Sequence, residues 1–476
     1  MFDPTRCTYR AWHLTGTGFE NLRAVTLPRP SIGPGELLLW QRVATICYSS
    51  VKVLRLGNSH PRLVGRDLAK DPVILGDECY GVVVEVGERL RGRFRAGDEV
   101  AVSPDLDVDA YGYGVPGALQ QLNVIRGKML DYLMKAPAGS AATFGMFALP
   151  LSEPLGCVER ALSLTYRASP ADGDVTVESN DPEVIMRRAA EVLPTLPKFG
   201  VLAVLGDPPE GRRIPVDLGR VHYDRTLVVG SDRADLADAY TRNTSFGLRK
   251  GSTVLLLGAG GPMGQFFLMR CVSERNQPPV RVLAVEIRPD RVRHLERMVS
   301  RLKTDVDVRV LDVSGERRRV APGLMGIDML VLLCDDVEAL EGYLPALNDN
   351  AVINAFAGLK GAVLNVPARD ICRRGVRVVG HSGVNLKYQT VTLDRITSGE
   401  VDVAPVVAAI GGFDAARDAL RAARDGTHPG KMVVYLDVDH PLTPVQQLTG
   451  GSPWSADAER TFLAQHTRED RHSCLS

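Results

Sequence analysis

The segment 252–264, STVLLLGAGGPMG, constrains this chain more than any other. Val254–Leu257 is an unbroken apolar run, which marks a strand covered on both faces rather than one alternating between core and water. Four glycines follow within seven positions, Gly258, Gly260, Gly261 and Gly264, and then a helix-forming stretch from Gln265 to about Glu274. A buried strand that turns on glycines into a helix belongs to a parallel sheet with helices packed on its faces. The C-terminal half repeats that alternation, with apolar strands predicted at 280–286, 308–313, 328–334 and 351–356. The expected fold class is α/β, with a doubly wound parallel sheet.

The same turn carries chemistry. Glycine lets the backbone turn tightly and approach an anion closely, and the helix N-terminus presents free N–H groups and the positive end of its dipole. Gly258, Gly260, Gly261, Pro262, Met263 and Gly264 are therefore the candidate cradle for a pyrophosphate. The next strand ends in Glu286, 22 residues after Gly264. That is close to the interval of about 20 at which an acid meets the adenosine ribose hydroxyls. A dinucleotide is the ligand this pattern implies. Glu286 favours NAD(H) over NADP(H), because a carboxylate repels a 2′-phosphate. Arg288 and Arg291 are nearby cations able to turn toward such a phosphate, and Arg291 joins the candidate cofactor set. The alternative is a glycine turn that only packs helix on strand.

Upstream the pattern differs. Residues 11 to about 105 read as short β segments, clearest at 35–47, 80–87 and 98–102, separated by Gly and Pro. Such a pattern suggests a compact barrel or sandwich. Strands at 174–179, 200–206 and 226–231, with a helix-spaced stretch from Pro182, begin a second α/β region. Residues 199–230 lie on 350–380 at a spacing of 150, sharing Val216/Val366 and a closing Val-Val-Gly (228–230, 378–380). Duplication of a half-domain is the expectation, and two unrelated β-α-β pieces the alternative. The upstream copy lacks the glycines and the acid, so it is expected to be structural. After about Pro441 the chain is polar, with a short helix at 455–466 capped by Ser455.

Composition narrows the function classes. Lys plus Arg and Asp plus Glu each total 57, so there is no net charge. That removes the basic footprint of a nucleic-acid binder and leaves no basic tail for an anionic membrane. No run of 18 apolar residues is present, and Met1–Arg10 has no apolar signal core. Eight cysteines include no CxxC pair, so they are read as reduced and the protein as cytoplasmic. At roughly 150 residues per domain the 476 residues suggest about three domains.

A second constellation lies in the N-terminal half: Cys47 in ATICYSSVK, Asp77 and Glu78 in ILGDECYGVVVEVG, and Glu153 in EPLGCVERAL. A catalytic zinc takes three protein ligands from thiolate, imidazole or carboxylate and keeps one position open. The residue types suit a metal, but a free cysteine is most often a small buried hydrophobe and acids beside glycine are most often turn residues. His60, Arg62, Arg66 and Lys70 form a basic run that either meets a substrate phosphate or is a solvated loop of mixed charge.

These segments carry a resemblance. ATICYSSVK, ILGDECYGVVVEVG, FRAGDEV (94–100), EPLGCVERAL, VLLLGAGGPMG and the 406–435 stretch ending in GKMVVY together resemble the medium-chain zinc-type alcohol and polyol dehydrogenases. HPRLVGRDLAKDPVILG, AYGYG, VDLGRVHYD and AYTRN narrow this to the L-sorbose-1-phosphate-reductase-like branch, over residues 35 to about 440. The resemblance implies an N-terminal GroES-like β domain and a Rossmann domain with an additional inserted half-domain. The expected divisions are 1–155 catalytic, 156–245 inserted, 246–394 dinucleotide-binding, 395–440 returning to the catalytic domain, and 441–476 tail.

By resemblance Cys47, Asp77, Glu78 and Glu153 take the metal-ligand places, Ser49 the hydroxyl that passes the substrate proton, and Lys52 a relay position. Cys47, Ser49, Lys52 and Glu78 form the implied catalytic set, and His381 stands where a strand end meets the nicotinamide. The implied reaction is hydride transfer between NAD(P)(H) and a secondary alcohol or ketone of a polyol, sugar or sugar phosphate. Two positions depart from the family. Asp77 replaces a histidine, making the donor set harder and more anionic, and Ser50 replaces an acid beside the relay hydroxyl. A metal-free, catalytically degenerate relative acting as sensor or scaffold is the competing reading, and a zinc-independent reductase of activated double bonds a third. No cluster of four cysteines lies between Cys79 and Cys157, so no structural zinc is expected. A homodimer through the edge strands of the cofactor domain is the family expectation.

Overall fold

The computed structural model describes residues 8–467, except 105–109, 180, 234, 242–245 and 317–319. Arg242 and Asn243 of AYTRN, Cys7, Cys474 and the tail beyond Thr467 lie outside the described residues. The chain divides into two units: Met1–Gly156 with Val384–Ser476, and Cys157–Gly383.

In the second unit the apolar runs form a six-stranded parallel sheet. Its spatial order is Asp307–Asp312, Arg281–Glu286, Thr253–Leu257, Ile327–Leu332, Leu347–Asn354, Arg377–Val379. Chain order therefore winds outward in both directions from Thr253–Leu257, the doubly wound arrangement expected. Val254, Leu255 and Leu256 are wholly buried, as an unalternating run requires. The direction of winding switches between Thr253–Leu257 and Ile327–Leu332, and ligands of such sheets bind at the carboxyl ends beside the switch. The glycine turn starts there.

The inserted stretch adds a three-stranded parallel sheet, Leu227–Ser231, Val201–Leu205, Val175–Glu178. It is not a separate unit, as the expected division at 245 implied. Arg213–Asp217 pairs antiparallel with Val363–Pro367. Ile214, Val216 and Val228 share one core with Val366, Ile371 and Val378. Two half-domains that bury a common core cannot be divided by cutting the chain between them.

In the first unit the strand Glu36–Thr45 is central. It pairs antiparallel with Glu78–Val86 on one side and with Lys431–Tyr435 on the other. The returning segment begins at Val384, not at 395 as expected from sequence. The helix Leu386–Thr397 belongs to this unit because its buried polar face is satisfied there. Gln389 donates to the Val102 carbonyl at 3.0 Å and Thr392 to the Ser152 carbonyl at 2.7 Å. Among the described residues no helix is long and apolar enough to cross a membrane.

The predicted terminal helix is present as Ala456–His466, with Ser455 accepting the Ala458 N–H at 3.2 Å. It docks through Glu459, which is 2% exposed. One carboxylate oxygen accepts the Met146 N–H at 2.6 Å; the other accepts the Phe147 N–H at 2.9 Å and the Tyr435 hydroxyl at 2.6 Å. Trp454 donates its indole N–H to the Tyr435 oxygen at 2.9 Å. Burial raises the Glu459 carboxyl to about 7, against the pull of its three donors. A carboxyl raised in the folded state stabilises below its unfolded value and loses that contribution as pH rises through the folded one. Its share of stability should therefore fall between about pH 4.5 and about 7. Melting temperatures followed across that window should decline less in Glu459→Gln than in the parent. Parallel profiles would contradict the assignment.

Candidate active site

The glycine turn is built by close approach. Gly258 has φ 90°, open to glycine at little cost, and it leaves the strand for the helix Pro262–Ser273. A Cβ at Gly264 would lie 2.4 Å from the Ala259 carbonyl oxygen, so the helix is pressed against the turn. A Cβ at Gly260 would lie 2.6 Å from both the Arg291 Cβ and a Glu286 oxygen. By contrast a Cβ at Gly261 meets nothing nearer than 3.8 Å, which leaves that face open. Gly261 caps the helix without a side-chain bond, and Pro262 at the first position has no N–H to lose. The remaining first-turn N–H groups, those of Met263 and Gly264, have no intrahelical acceptor and suit an anion.

Glu286 sits beside this turn, 4% exposed. One of its oxygens accepts the Gly260 N–H at 2.9 Å, and the other accepts those of Ile287 and Arg288 at 2.8 and 3.0 Å. A carboxylate has about four acceptor sites, so capacity for a further hydroxyl donor remains. Arg288 is held by both oxygens of Asp290, at 3.2 and 2.8 Å. Arg291 is the cation that remains at the turn: its Nη1 is 3.9 Å from the Cβ position of Gly261, and its buried Nε has no hydrogen-bond partner. The donors, the open face and the acid fit a dinucleotide.

Two residues that sequence reasoning missed hold the turn. Gln265 donates to the Gly260 carbonyl at 3.0 Å, and His294 faces the Gln265 carbonyl oxygen at 3.3 Å. Burial lowers His294 to about 4, so it is neutral and able to donate. Gln265 follows the last glycine directly and reads as an ordinary polar helix residue, so nothing in the sequence marks it. His381 lies behind the Phe356 ring, 5.9 Å away, and Phe356 meets Phe267 of the helix at 5.0 Å. Burial first, then the Arg160 charge, keeps the His381 imidazole well below its ordinary value.

In the first unit Cys47, two residues past the central strand, takes the N-cap position of the helix Tyr48–Leu56 without a side-chain bond, placing Ser49 in its first turn. The Ser49 hydroxyl donates to an Asp77 oxygen at 2.5 Å. Asp77 is 7% exposed, and burial, then the neighbouring Glu78 charge, raises it to about 6. Its other oxygen is buried without a hydrogen-bond partner. Burial and the Asp77 charge hold the Cys47 thiol well above its ordinary value, with Glu78 and Glu153 adding to the effect.

Glu78 is wholly buried and stands opposite Thr45 in the strand register. Its two oxygens are bound by the Lys431 ammonium and the Thr45 hydroxyl. Lys431, 3% exposed, also reaches the Ile46 carbonyl at 3.3 Å. Burial opposes the Lys431 charge, but Glu78 outweighs it and keeps the ammonium protonated.

The metal set Cys47, Asp77, Glu78, Glu153 is corrected on this geometry. Glu78 is consumed by Lys431 and Thr45, and one Asp77 oxygen is held by Ser49. Among the described residues no group of three or more His, Cys, Asp or Glu side chains is placed to hold a metal ion. The residues present therefore do not fit the zinc that the resemblance implies. Lys52 is not brought to the pair either. It is exposed, with its ammonium 6.0 Å over the Tyr48 ring.

Tyr113, from AYGYG, joins the site unannounced. Burial first, then the Asp77 and Cys47 charges, hold its hydroxyl above the ordinary value, which places it beside these groups and Ser49. Its ring meets that of His60 at 5.4 Å, tilted by 34°, and lies under the Arg62 guanidinium at 5.3 Å. Of the basic run, Arg66 is spent on the carbonyls of Asp71, Pro72 and Tyr113, and Lys70 on Asp67.

Comparison with known proteins agrees with this architecture. Residues 33–138 match the alcohol dehydrogenase GroES-like domain. The chain is 23% identical over 439 residues to mannitol-1-phosphate 5-dehydrogenase of Aliivibrio fischeri, covering 90% of this chain and 87% of that one. It is 21% identical over 477 residues to L-sorbose 1-phosphate reductase of Klebsiella pneumoniae, covering 96% and 97%. An alcohol dehydrogenase from Escherichia coli CFT073, solved with the cofactor NADH, superposes with a TM-score of 0.57 at 15% identity, over 90% of this chain and all of that one.

The cradle is testable by contrast. Gly264→Ala should cost on the order of 1–3 kcal/mol by overpacking and weaken NADH binding in a fluorescence titration. Gly261→Ala should leave the melting temperature nearly unchanged while still hindering NADH. Equal stability of the two variants would refute the close-packing role of Gly264.

Proposed function

Because this chain belongs to the medium-chain alcohol and polyol dehydrogenases, and is an oxidoreductase using a nicotinamide dinucleotide, we propose that it interconverts a secondary alcohol and ketone of a polyol or sugar phosphate. The observation that carries the reading is the Ser49–Asp77 pair, 2.5 Å apart, with the Tyr113 hydroxyl beside it. Both full-length relatives act, by their names, on phosphorylated six-carbon polyols or ketoses.

In the oxidation direction Ser49 accepts the proton of the substrate hydroxyl as its own passes to Asp77. In reduction the same two groups return a proton to the oxygen of the new alcohol. When bound, the dinucleotide supplies or accepts the hydride. Tyr113 donates to the Ser49–substrate pair and orients it. The ion pair of Glu78 and Lys431 fixes the strand end that carries Cys47 and the helix bearing Ser49.

Arg62, over the Tyr113 ring, is the cation for the substrate phosphate. Glu286 sets the preference for NAD(H) over NADP(H), since a 2′-phosphate would meet a carboxylate already buried at the turn. The absence of a disulfide among the described cysteines suits a cytoplasmic setting.

A panel of ketose phosphates and polyol phosphates assayed with NADH or NAD tests the reading. Ser49→Ala and Asp77→Asn should each lower kcat by about 10²-fold or more with unchanged NADH affinity, and NADPH should serve less well than NADH. Unaltered kcat in both variants would sink the proton path. In the same panel Arg62→Ala should raise KM about tenfold for phosphorylated substrates and leave unphosphorylated ones unaffected. A uniform change would remove Arg62 from phosphate recognition.

A further inference from the structure

The unit Cys157–Gly383 contains its own two-fold axis. The strands Arg213–Asp217 and Val363–Pro367 pair antiparallel from Arg213↔Pro367 to Asp217↔Val363, centred on Pro215↔Asn365. Pro215 and Asn365 are 150 positions apart, which is the repeat spacing. Each strand therefore faces its own equivalent about a dyad, as one strand faces its copy in a symmetric dimer.

The contacts around this centre are reciprocal. Leu218 N–H donates to the Ala362 carbonyl at 2.9 Å, and the equivalent Ala368 N–H donates to the equivalent Arg212 carbonyl at 2.8 Å. A Cβ at Gly230 would lie 3.1 Å from the Cys372 Cα, and a Cβ at Gly380 would lie 3.3 Å from the Cα of His222, the equivalent of Cys372. The shared Val-Val-Gly thus has a physical cause: the glycine of each copy is where the short helix of the other copy presses on the sheet. Left-handed backbone recurs too, at Gly211 and Gly361 (φ 85° and 76°) and at Arg225 and Gly375 (φ 56° and 66°).

In an isologous interface residue i meets j and j meets i. We propose that the inserted half-domain is a fused partner subunit, which closes the edge of the dinucleotide-binding sheet from within the same chain. Leu227–Ser231 lies beside the edge strand Arg377–Val379, so that edge is covered and unavailable as a template for a second copy. The homodimer expected through these edge strands is replaced, at this surface, by an internal one.

The arrangement is symmetric in backbone and asymmetric in use. The inserted copy carries no glycine cradle. It sends His222 to the Ala355 carbonyl at 3.1 Å and Tyr223 to the Gly358 carbonyl at 3.4 Å. Both acceptors lie just past Leu347–Asn354, at the carboxyl end of the parallel sheet. The fused partner therefore braces the loop on the side where such sheets bind their ligands.

The pairing has a readable signature. Asn365 N–H turns away to a Glu341 oxygen at 2.9 Å, and Pro215 has no N–H, so the central pair is a non-hydrogen-bonded one. The cross-strand amide bonds then fall on Ile214, Val216, Leu364 and Val366, all at most 2% exposed. Hydrogen–deuterium exchange of the full chain, read on peptides spanning 212–217 and 362–367 at high and at low protein concentration, tests this. Native mass spectrometry on the same samples gives the oligomeric state. Slow exchange at these amides with no change on dilution, whether the protein is monomeric or dimeric through another face, is the expected result. Protection that falls as the protein is diluted, or cross-links between two chains at 363–379, would overturn the proposal.

Discussion

The buried pair of Glu78 and Lys431 governs the first unit. It joins the two strands that flank one central strand, since Glu78 and Lys431 lie on opposite sides of the strand that carries Thr45. A carboxylate and an ammonium with almost no exposure are tolerable only when each neutralises the other and the spare hydrogen-bonding capacity is met. Here Thr45 and the Ile46 carbonyl meet it. The pair sets the register at the strand end, which positions Cys47 as a helix cap and Ser49 one residue into the turn. It also occupies both Glu78 oxygens, and that leaves the hydrogen-bonded pair of Ser49 and Asp77 with an ion pair behind it.

The second unit depends on a different economy, one of space. At the glycine turn the helix approaches so closely that a single methyl group at Gly264 or Gly260 would collide with the backbone or with Glu286. The acid that closes the turn accepts three backbone N–H groups, so it shapes the loop as well as offering a site for a hydroxyl. Around the internal dyad the same rule holds at Gly230 and Gly380. Glycines that look like punctuation in the sequence are contact points in the fold.

Much of this was legible beforehand. Local pattern predicted every strand of the parallel sheet except the short Arg377–Val379, because an unalternating apolar run leaves few other options. The terminal helix and its Ser455 cap were equally local. The course of the returning chain was not, since Gln389 and Thr392 find their acceptors on Val102 and Ser152, far away in sequence. Lys431 lies 353 positions from Glu78, and His294 is 29 from Gln265. No spacing rule links residues whose proximity is made by sheet pairing.

The sequence by itself determined the strand–glycine–helix turn, the acid after it, the repeat of 150 and the segments that carry the resemblance, because each rests on periodicity or on the conformational freedom of glycine. The tertiary structure decided which charges are spent. Whether Glu78 faces a metal or a lysine, whether Arg62 or Arg66 is bound to backbone carbonyls, and whether the repeat packs beside its twin or across a dyad from it depend on which strands become neighbours. That is a property of the folded sheet, in which desolvation forces every buried charge to find a partner.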